Sequence, residues 1–233
     1  MPKDFTTLIE MLAFRAEFSA KKVAFTFEEK SVSFAELWQD INLFGSFLLA
    51  RGLKRGERVL VALPNSAEFF LAFYGIQRAG GIAVPLFPEA GVARIFSFAK
   101  LCDAKTIIAP SNLPEKELIC FRQLAEKKNI SIISVKDSEK SIFNEKFPEI
   151  KPDDISFLQY TSGSTGNPKG VMLTHANLLM NIRQMIAGME ITANEIFVSW
   201  LPVYHDMGLI LKTMVPFYLA AESHLLPTSL RNI

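Results

Sequence analysis

The sequence predicts an α/β fold in which parallel sheets are flanked by helices and arranged in two lobes. Between residues 23 and 135, short apolar runs of strand length alternate with longer amphipathic runs. This alternation is typical of βαβ units with right-handed crossovers. Residues 136–153 then form a charged stretch with Pro148 and Pro152, which we interpret as a linker between the lobes. Residues 1–150 would be the first lobe with its linker, and residues 151–233 the start of the second.

The individual elements follow from periodicity and from local start and stop signals. Ser33 and Glu36 have the spacing of a capping box, and Gly52 supplies a C-terminal stop for the same helix. The predicted helices cover residues 5–18, 34–51, 67–79, 92–102, 115–128, 176–187 and 209–219. The predicted strands cover residues 23–27, 31–33, 58–63, 82–86, 105–109, 131–135, 155–159, 171–173, 196–199 and 224–226.

Composition narrows the class of protein. The chain has 233 residues, 49% of them hydrophobic and 21% charged, as in an ordinary globular protein. A formal charge of +1 provides no basic field, so nucleic acid is not expected as a partner. Cys102 and Cys120 lack the spacing of a metal site, and no metal-ligating residue is predicted. Charged residues interrupt the early apolar pattern and every long apolar run, so we expect neither a signal peptide nor a membrane span, and a cytoplasmic location.

A polar, glycine-rich stretch at residues 160–170 lies between two predicted strands. Hydroxyls and backbone N–H groups in such a loop can bind an anion, and Lys169 can neutralise phosphate oxygens. It is not a Walker A loop, because Gly170 stands where Ser or Thr is required and a strand follows instead of a helix. Composition alone leaves a phosphate loop and a plain surface loop as alternatives.

Residues 160–171 resemble the phosphate-loop signature of the adenylate-forming superfamily, the AMP-dependent synthetases and ligases. Residues 56–59 and 80–86 also resemble that family's first lobe, so the resemblance covers nearly the whole chain. It implies ATP as a substrate, Mg²⁺ as its companion ion, and the incomplete N-terminal part of the adenylate-forming fold. The implied ATP-binding residues are Thr161, Ser162, Gly163, Ser164, Thr165, Gly166 and Lys169.

A second motif at residues 199–210 is similar to the form found in fatty acyl-AMP ligases. Gln159 and residues 171–178 match the same branch. This resemblance implies activation of a fatty acid to an acyl-adenylate with release of pyrophosphate, and an acyl carrier protein as acceptor. His205 would be the catalytic residue, beside the carboxylate and the acyl-adenylate.

Asp206 and the other two histidines have simpler structural interpretations. Asp206 can orient the imidazole of His205 or cap the following helix. His175, just before a predicted helix, is expected to be a packing or capping residue, and His224 to be structural.

The family's later motifs, including the C-terminal domain with its catalytic lysine, are absent from these residues. We therefore expect an N-terminal portion that lacks full adenylation activity by itself. Two alternatives stay open: an acyl- or aryl-CoA synthetase, and a non-catalytic remnant that binds a partner or an acyl chain.

Overall fold

The computed structural model of the chain describes residues 4–138, 145–161 and 168–228. Its helices are α1 (Leu8–Phe18), α2 (Phe34–Ala50), α3 (Ala67–Arg78), α4 (Val92–Leu101), α5 (Glu115–Lys128), α6 (His175–Gly188) and α7 (Val215–Leu219). Its strands are β1 (Val23–Phe27), β2 (Lys30–Ser33), β3 (Arg58–Val61), β4 (Ile82–Pro85), β5 (Thr106–Ile108), β6 (Ser131–Ile133), β7 (Ile155–Thr161), β8 (Lys169–Thr174), β9 (Ile196–Ser199) and β10 (Glu222–Leu225). In the described residues, no helix is both long and apolar enough to cross a membrane.

Six strands form the large sheet, in the order β6-β5-β3-β4-β7-β8. All neighbours in it are parallel except β7 and β8, which form an antiparallel hairpin. The parallel sheet with intervening helices confirms the predicted α/β class. Because β3, β4 and β7 run the same way, the residues that follow them lie at one edge, called here the carboxyl edge.

Four strands form the small sheet, in the order β2-β1-β10-β9. Here β1 lies parallel to β10, with Thr26 opposite His224. Each sheet therefore takes strands from both sides of residue 150, and the linker connects two strands of the large sheet instead of separating two sheets. Long-range parallel pairing leaves no local sequence signal, which is why the pattern did not reveal it. A domain division at residue 150 stays a prediction.

The end of the linker is held against the large sheet by Arg55. One guanidinium nitrogen, Nη1, donates to the carbonyl oxygen of Glu149 at 2.9 Å. The other, Nη2, donates to Asp154 Oδ1 at 2.7 Å, just before β7 begins. These contacts fix the point at which the chain enters β7.

Both faces of the large sheet are covered. Along β3, Val59 and Val61 belong to the larger apolar core, whereas Leu60 faces a smaller core beneath α4 and α5. Phenylalanines dominate the larger core: Phe25 and Phe217 both contact Phe70, with ring centroids 4.8 and 5.7 Å away. Each fully buried ring contributes on the order of 1.5–3 kcal/mol to folding. Thirteen of the twenty phenylalanines in the sequence are buried within the described ranges, so most of them belong to the core.

The predicted capping box of α2 is present. The Ser33 hydroxyl accepts the Glu36 N–H at 3.3 Å, and Glu36 Oε2 accepts the Ser33 N–H at 2.8 Å. These two bonds satisfy N–H groups that a helix start otherwise leaves unpaired.

The structure differs from the single helix predicted at residues 209–219. The chain forms a π-helix over Met207–Met214 and then the short α7. The Val215 N–H donates to the Ile210 carbonyl, and the Thr213 hydroxyl donates to the Gly208 carbonyl at 2.9 Å. The backbone bond spans five residues, which is the spacing of a π-turn. Pro216 has no N–H to continue an α-helical ladder at this point.

His175, the first residue of α6, is buried, with 1% of its surface exposed. This agrees with the packing role expected from the sequence. Its Nδ1 accepts the Leu8 N–H at 3.3 Å, which requires the unprotonated nitrogen. Burial lowers the pKa of His175 to about 4, and the negative charge of Asp154 opposes this only in part.

We expect the free energy of unfolding to decrease as the pH falls from about 6.5 to about 4. In that window the unfolded chain binds a proton at His175 that the folded chain does not. The full difference amounts to about 3 kcal/mol. Urea unfolding at several pH values would measure it, with His175→Gln as the non-titrating comparison. An equal pH dependence in the two proteins would contradict the assignment.

Candidate active site

The predicted phosphate loop is carried by the β7–β8 hairpin. In its register, Tyr160 pairs with Gly170 and Thr161 pairs with Lys169, so Thr161 and Lys169 stand opposite each other where the loop leaves the sheet. Both residues are exposed. The other predicted phosphate-binding residues lie outside the described residues: Ser162, Gly163, Ser164, Thr165 and Gly166. Their assignment stays a prediction.

The base of the hairpin is packed by Tyr160. A Cβ on Gly170 would lie 3.1 Å from the Tyr160 ring, so the ring covers the glycine backbone closely. On its other side the ring meets Phe98 of α4 edge-on, with centroids 5.0 Å apart. The Tyr160 hydroxyl is a proton donor at neutral pH, and burial raises its pKa further above the usual range. Gly170 therefore serves the close packing of the hairpin.

His205 lies in a turn between β9 and the π-helix, called here the His205 turn (residues 200–206). Its N–H donates to the Pro202 carbonyl at 3.0 Å, and its own carbonyl accepts the Leu209 N–H at 2.9 Å. The side chain is 65% exposed, and Nδ1 lies 2.7 Å from Asp206 Oδ1. The same Asp206 oxygen accepts the Met207 N–H at 2.7 Å. Asp206 thus both orients the imidazole and caps the helix start.

Gly208 allows the turn to close. A Cβ at this position would lie 2.2 Å from the Pro202 carbonyl oxygen, far inside van der Waals contact. Because the obstacle is backbone, no side-chain rotation relieves it. The turn therefore requires glycine there.

One cleft at the carboxyl edge brings the hairpin and the His205 turn together. Its volume is about 240 Å³, and Thr161 and His205 both line it, with Phe87, Arg94 and Tyr204. Tyr204 packs on Phe87 with ring centroids 5.4 Å apart. Burial, aided by the charge of Glu89, raises the pKa of Tyr204 and keeps its hydroxyl protonated. Hydroxyl donors, a guanidinium and an imidazole surround the space, a combination suited to anionic groups.

Sequence reasoning did not single out Arg94 or Gln159 as cleft residues. Arg94 lies in the first turns of α4, where a basic residue is typical of an exposed helix surface. The Gln159 Nε2 donates to the Tyr204 carbonyl at 2.9 Å and so joins β7 to the His205 turn. Within the described ranges, no donor reaches Gln159 Oε1 although that atom is buried. Arg94 has no local sequence signal, and the motif resemblance at Gln159 does not reveal the bond that its side chain makes.

A larger groove, of about 1000 Å³, lies elsewhere. It is lined by Arg51 and Arg122, by Thr106 at the amino end of β5, and by the whole of the edge strand β6. Ligands of parallel sheets bind at the opposite, carboxyl edge. We therefore assign the site to the smaller cleft.

Among the described residues, the titratable groups outside the cleft form no metal centre. Across residues 4–138, 145–161 and 168–228, no group of three or more His, Cys, Asp and Glu side chains is arranged to hold a metal ion. His224 Nε2 lies 2.7 Å from Glu222 Oε1 on the small sheet.

A family model described as "AMP-binding enzyme" matches residues 12–232. The chain belongs to the AMP-binding enzyme family. This confirms the resemblance read from the loop at residues 160–171.

Curated members of the AMP-binding family are similar to this chain over much of its length. A medium-chain-fatty-acid acyl-carrier-protein ligase, TtuA from Teredinibacter turnerae, is 31% identical over 93% of this chain. A long-chain-fatty-acid–AMP ligase, FadD32 from Mycolicibacterium smegmatis, is 36% identical over 69% of it. The matches cover 41% and 26% of those proteins, so the chain spans less than half the length of either relative.

Solved structures of adenylate-forming enzymes superpose on this chain. A crystal structure of the fatty acyl-adenylate ligase from L. pneumophila, in complex with acyl adenylate and pyrophosphate, superposes with a TM-score of 0.81 at 29% identity. The superposition covers 96% of this chain and 40% of that one. The predicted fold class, an incomplete part of the adenylate-forming fold, is thereby confirmed.

We expect Gly208→Ala to lower the free energy of unfolding by more than about 2 kcal/mol, because the new methyl group overlaps the Pro202 carbonyl. Urea unfolding would measure the change. The matched control is Gly188→Ala at the end of α6, where an added Cβ meets nothing within 4 Å. That control should be neutral or slightly stabilising. Equal stability of the two variants would show that the turn is not closed as described.

Proposed function

We propose that the chain is the N-terminal part of an acid–AMP ligase. The reaction would activate a fatty acid with ATP to an acyl-adenylate, release pyrophosphate and pass the acyl group to an acyl carrier protein. The observation that carries the proposal is the single cleft shared by the base of the phosphate loop and the His205 turn. The fatty acid and the carrier protein are supported by the names of the relatives, and loading assays with carrier protein or coenzyme A would identify the acceptor.

The phosphate loop would stabilise the leaving pyrophosphate. Negative charge accumulates on that group as the acyl-adenylate forms, and aimed donors stabilise such charge strongly in a partly dry site. Lys169 can supply an ammonium at the base of the hairpin, opposite the hydroxyl of Thr161. The proposed phosphate contacts are Thr161, Ser162, Ser164, Thr165 and Lys169, with Gly163 and Gly166 allowing the backbone to approach.

His205 would contact the reacting carboxylate or the adenylate phosphate. Its Nδ1 is paired with Asp206, which fixes the orientation of the ring. With both ring nitrogens protonated, Nε2 can donate to an anionic oxygen while Nδ1 keeps its bond to Asp206.

Mg²⁺ is proposed as the ion that accompanies ATP. In nucleotide sites it is held largely by phosphate oxygens and one or two carboxylates. When bound it would neutralise phosphate charge. We also propose a cytoplasmic location, consistent with free thiols at Cys102 and Cys120.

We expect Lys169→Ala to weaken ATP binding by the 233-residue chain at least about ten-fold, because a charge-assisted contact to a phosphate is lost. Isothermal titration calorimetry with ATP would measure it. The matched control is Lys116→Ala, which removes an exposed lysine on α5 and should leave the affinity unchanged. Equal effects of the two substitutions would remove the loop from the proposed site.

The same preparations test whether these residues suffice for catalysis. Given a fatty acid, ATP and labelled pyrophosphate, the 233-residue chain should show no exchange of label into ATP. Robust exchange would contradict the proposal that the chain is only part of the catalytic unit.

A further inference from the structure

Asn65 is a polar residue in the interior of the protein. It follows β3 at the carboxyl edge of the large sheet and immediately precedes Ser66, which caps α3. Only 4% of Asn65 is exposed. An amide buried to this degree is costly unless its hydrogen-bonding groups are satisfied.

Both ends of the Asn65 amide are paired with backbone. Its Oδ1 accepts the Val203 N–H at 2.9 Å. Its Nδ2 donates to the carbonyls of Leu201 and Leu226, each at 3.0 Å. One acceptor and two donors are what a side-chain amide offers in this geometry. If the amide were flipped, its NH2 group would face the Val203 N–H, and its oxygen would face the two carbonyl oxygens. The partners therefore determine the orientation of the Asn65 amide.

Two of these partners lie on either side of the residue whose carbonyl closes the His205 turn. Leu201 and Val203 flank Pro202, whose carbonyl accepts the His205 N–H at 3.0 Å. The third partner, Leu226, follows β10 and donates its own N–H to Ser199 of β9 at 2.8 Å. Asn65 therefore connects the large sheet to both sides of Pro202 and to the end of the small sheet.

We propose that Asn65 is a positioning residue that sets where the His205 turn lies relative to the carboxyl edge. The Asn65 amide holds the turn near its start, and Gln159 holds it at Tyr204, 2.9 Å from the carbonyl oxygen. His205 lies directly after Tyr204, so its place in the cleft is defined from the large sheet. The importance of that place for catalysis rests on the proposed function; the placement itself does not.

Neither aspartate nor alanine reproduces these contacts. Aspartate can accept from Val203 but cannot donate, and its charge would repel the carbonyls of Leu201 and Leu226. Alanine leaves all of these backbone groups without their partner. The two substitutions therefore separate the acceptor from the donor half of the amide.

The test is amide hydrogen exchange by NMR, together with the ring signals of His205, in the ligand-free 233-residue chain. In Asn65→Ala the Val203 amide should exchange at least about ten-fold faster relative to a core amide such as Leu60, and the His205 ring signals should shift. In Asn65→Asp the Val203 amide should stay near its wild-type rate while the His205 signals still shift.

The matched control is Ser66→Ala. It removes the cap bond to the Phe69 N–H, which is 3.2 Å long, and so lowers global stability beside Asn65 without touching the turn. This variant should leave both the relative Val203 rate and the His205 signals unchanged.

The proposal fails if Val203 exchange rises no more in Asn65→Ala than in Ser66→Ala, or if His205 signals stay fixed in both Asn65 variants. Should Asn65→Ala not fold, the pattern in Asn65→Asp decides. No nucleotide is present, so failure here leaves the ATP-binding prediction standing, and failure of ATP binding leaves this result standing.

Discussion

The parallel pairing of β3, β4 and β7 is the constraint on which the candidate site depends. It brings the residues after three strands to one edge, although they are far apart in the sequence. Asn65 follows β3, Phe87 follows β4, and the phosphate loop follows β7. If β7 were displaced from β4, the loop and the wall of the cleft would separate. The arrangement is an instance of the general rule for parallel sheets.

The two sheets are joined at this edge by polar contacts as well as by the apolar core. The His205 turn leaves the small sheet after β9, yet Asn65 and Gln159 of the large sheet bind its backbone. Apolar packing is tolerant of small displacements, whereas buried hydrogen bonds are directional and costly to leave unmade. A site assembled from two sheets gains a defined geometry from such bonds. Gly208 contributes by letting the turn close over Pro202.

Local signals made much of the fold predictable. The capping box at Ser33, the α5 boundaries and the alternation of strands and helices all depend on neighbouring residues. The pairing of β1 with β10 and the π-helix at Met207–Met214 depend on distant partners or on a subtle choice between helix types. The same limit applies to the site: Lys169 and His205 were found through motif resemblance, whereas the contacts of Asn65 join segments more than a hundred residues apart.

We propose that the cleft at the carboxyl edge is where this chain holds nucleotide phosphates. It is tested most directly by titrating ATP into the isotope-labelled 233-residue chain and mapping the amide signals that move. We expect changes at Thr161, Lys169 and Tyr204, and none around Arg51 and Arg122 in the larger groove. Changes confined to that groove, with the cleft unaffected, would contradict it.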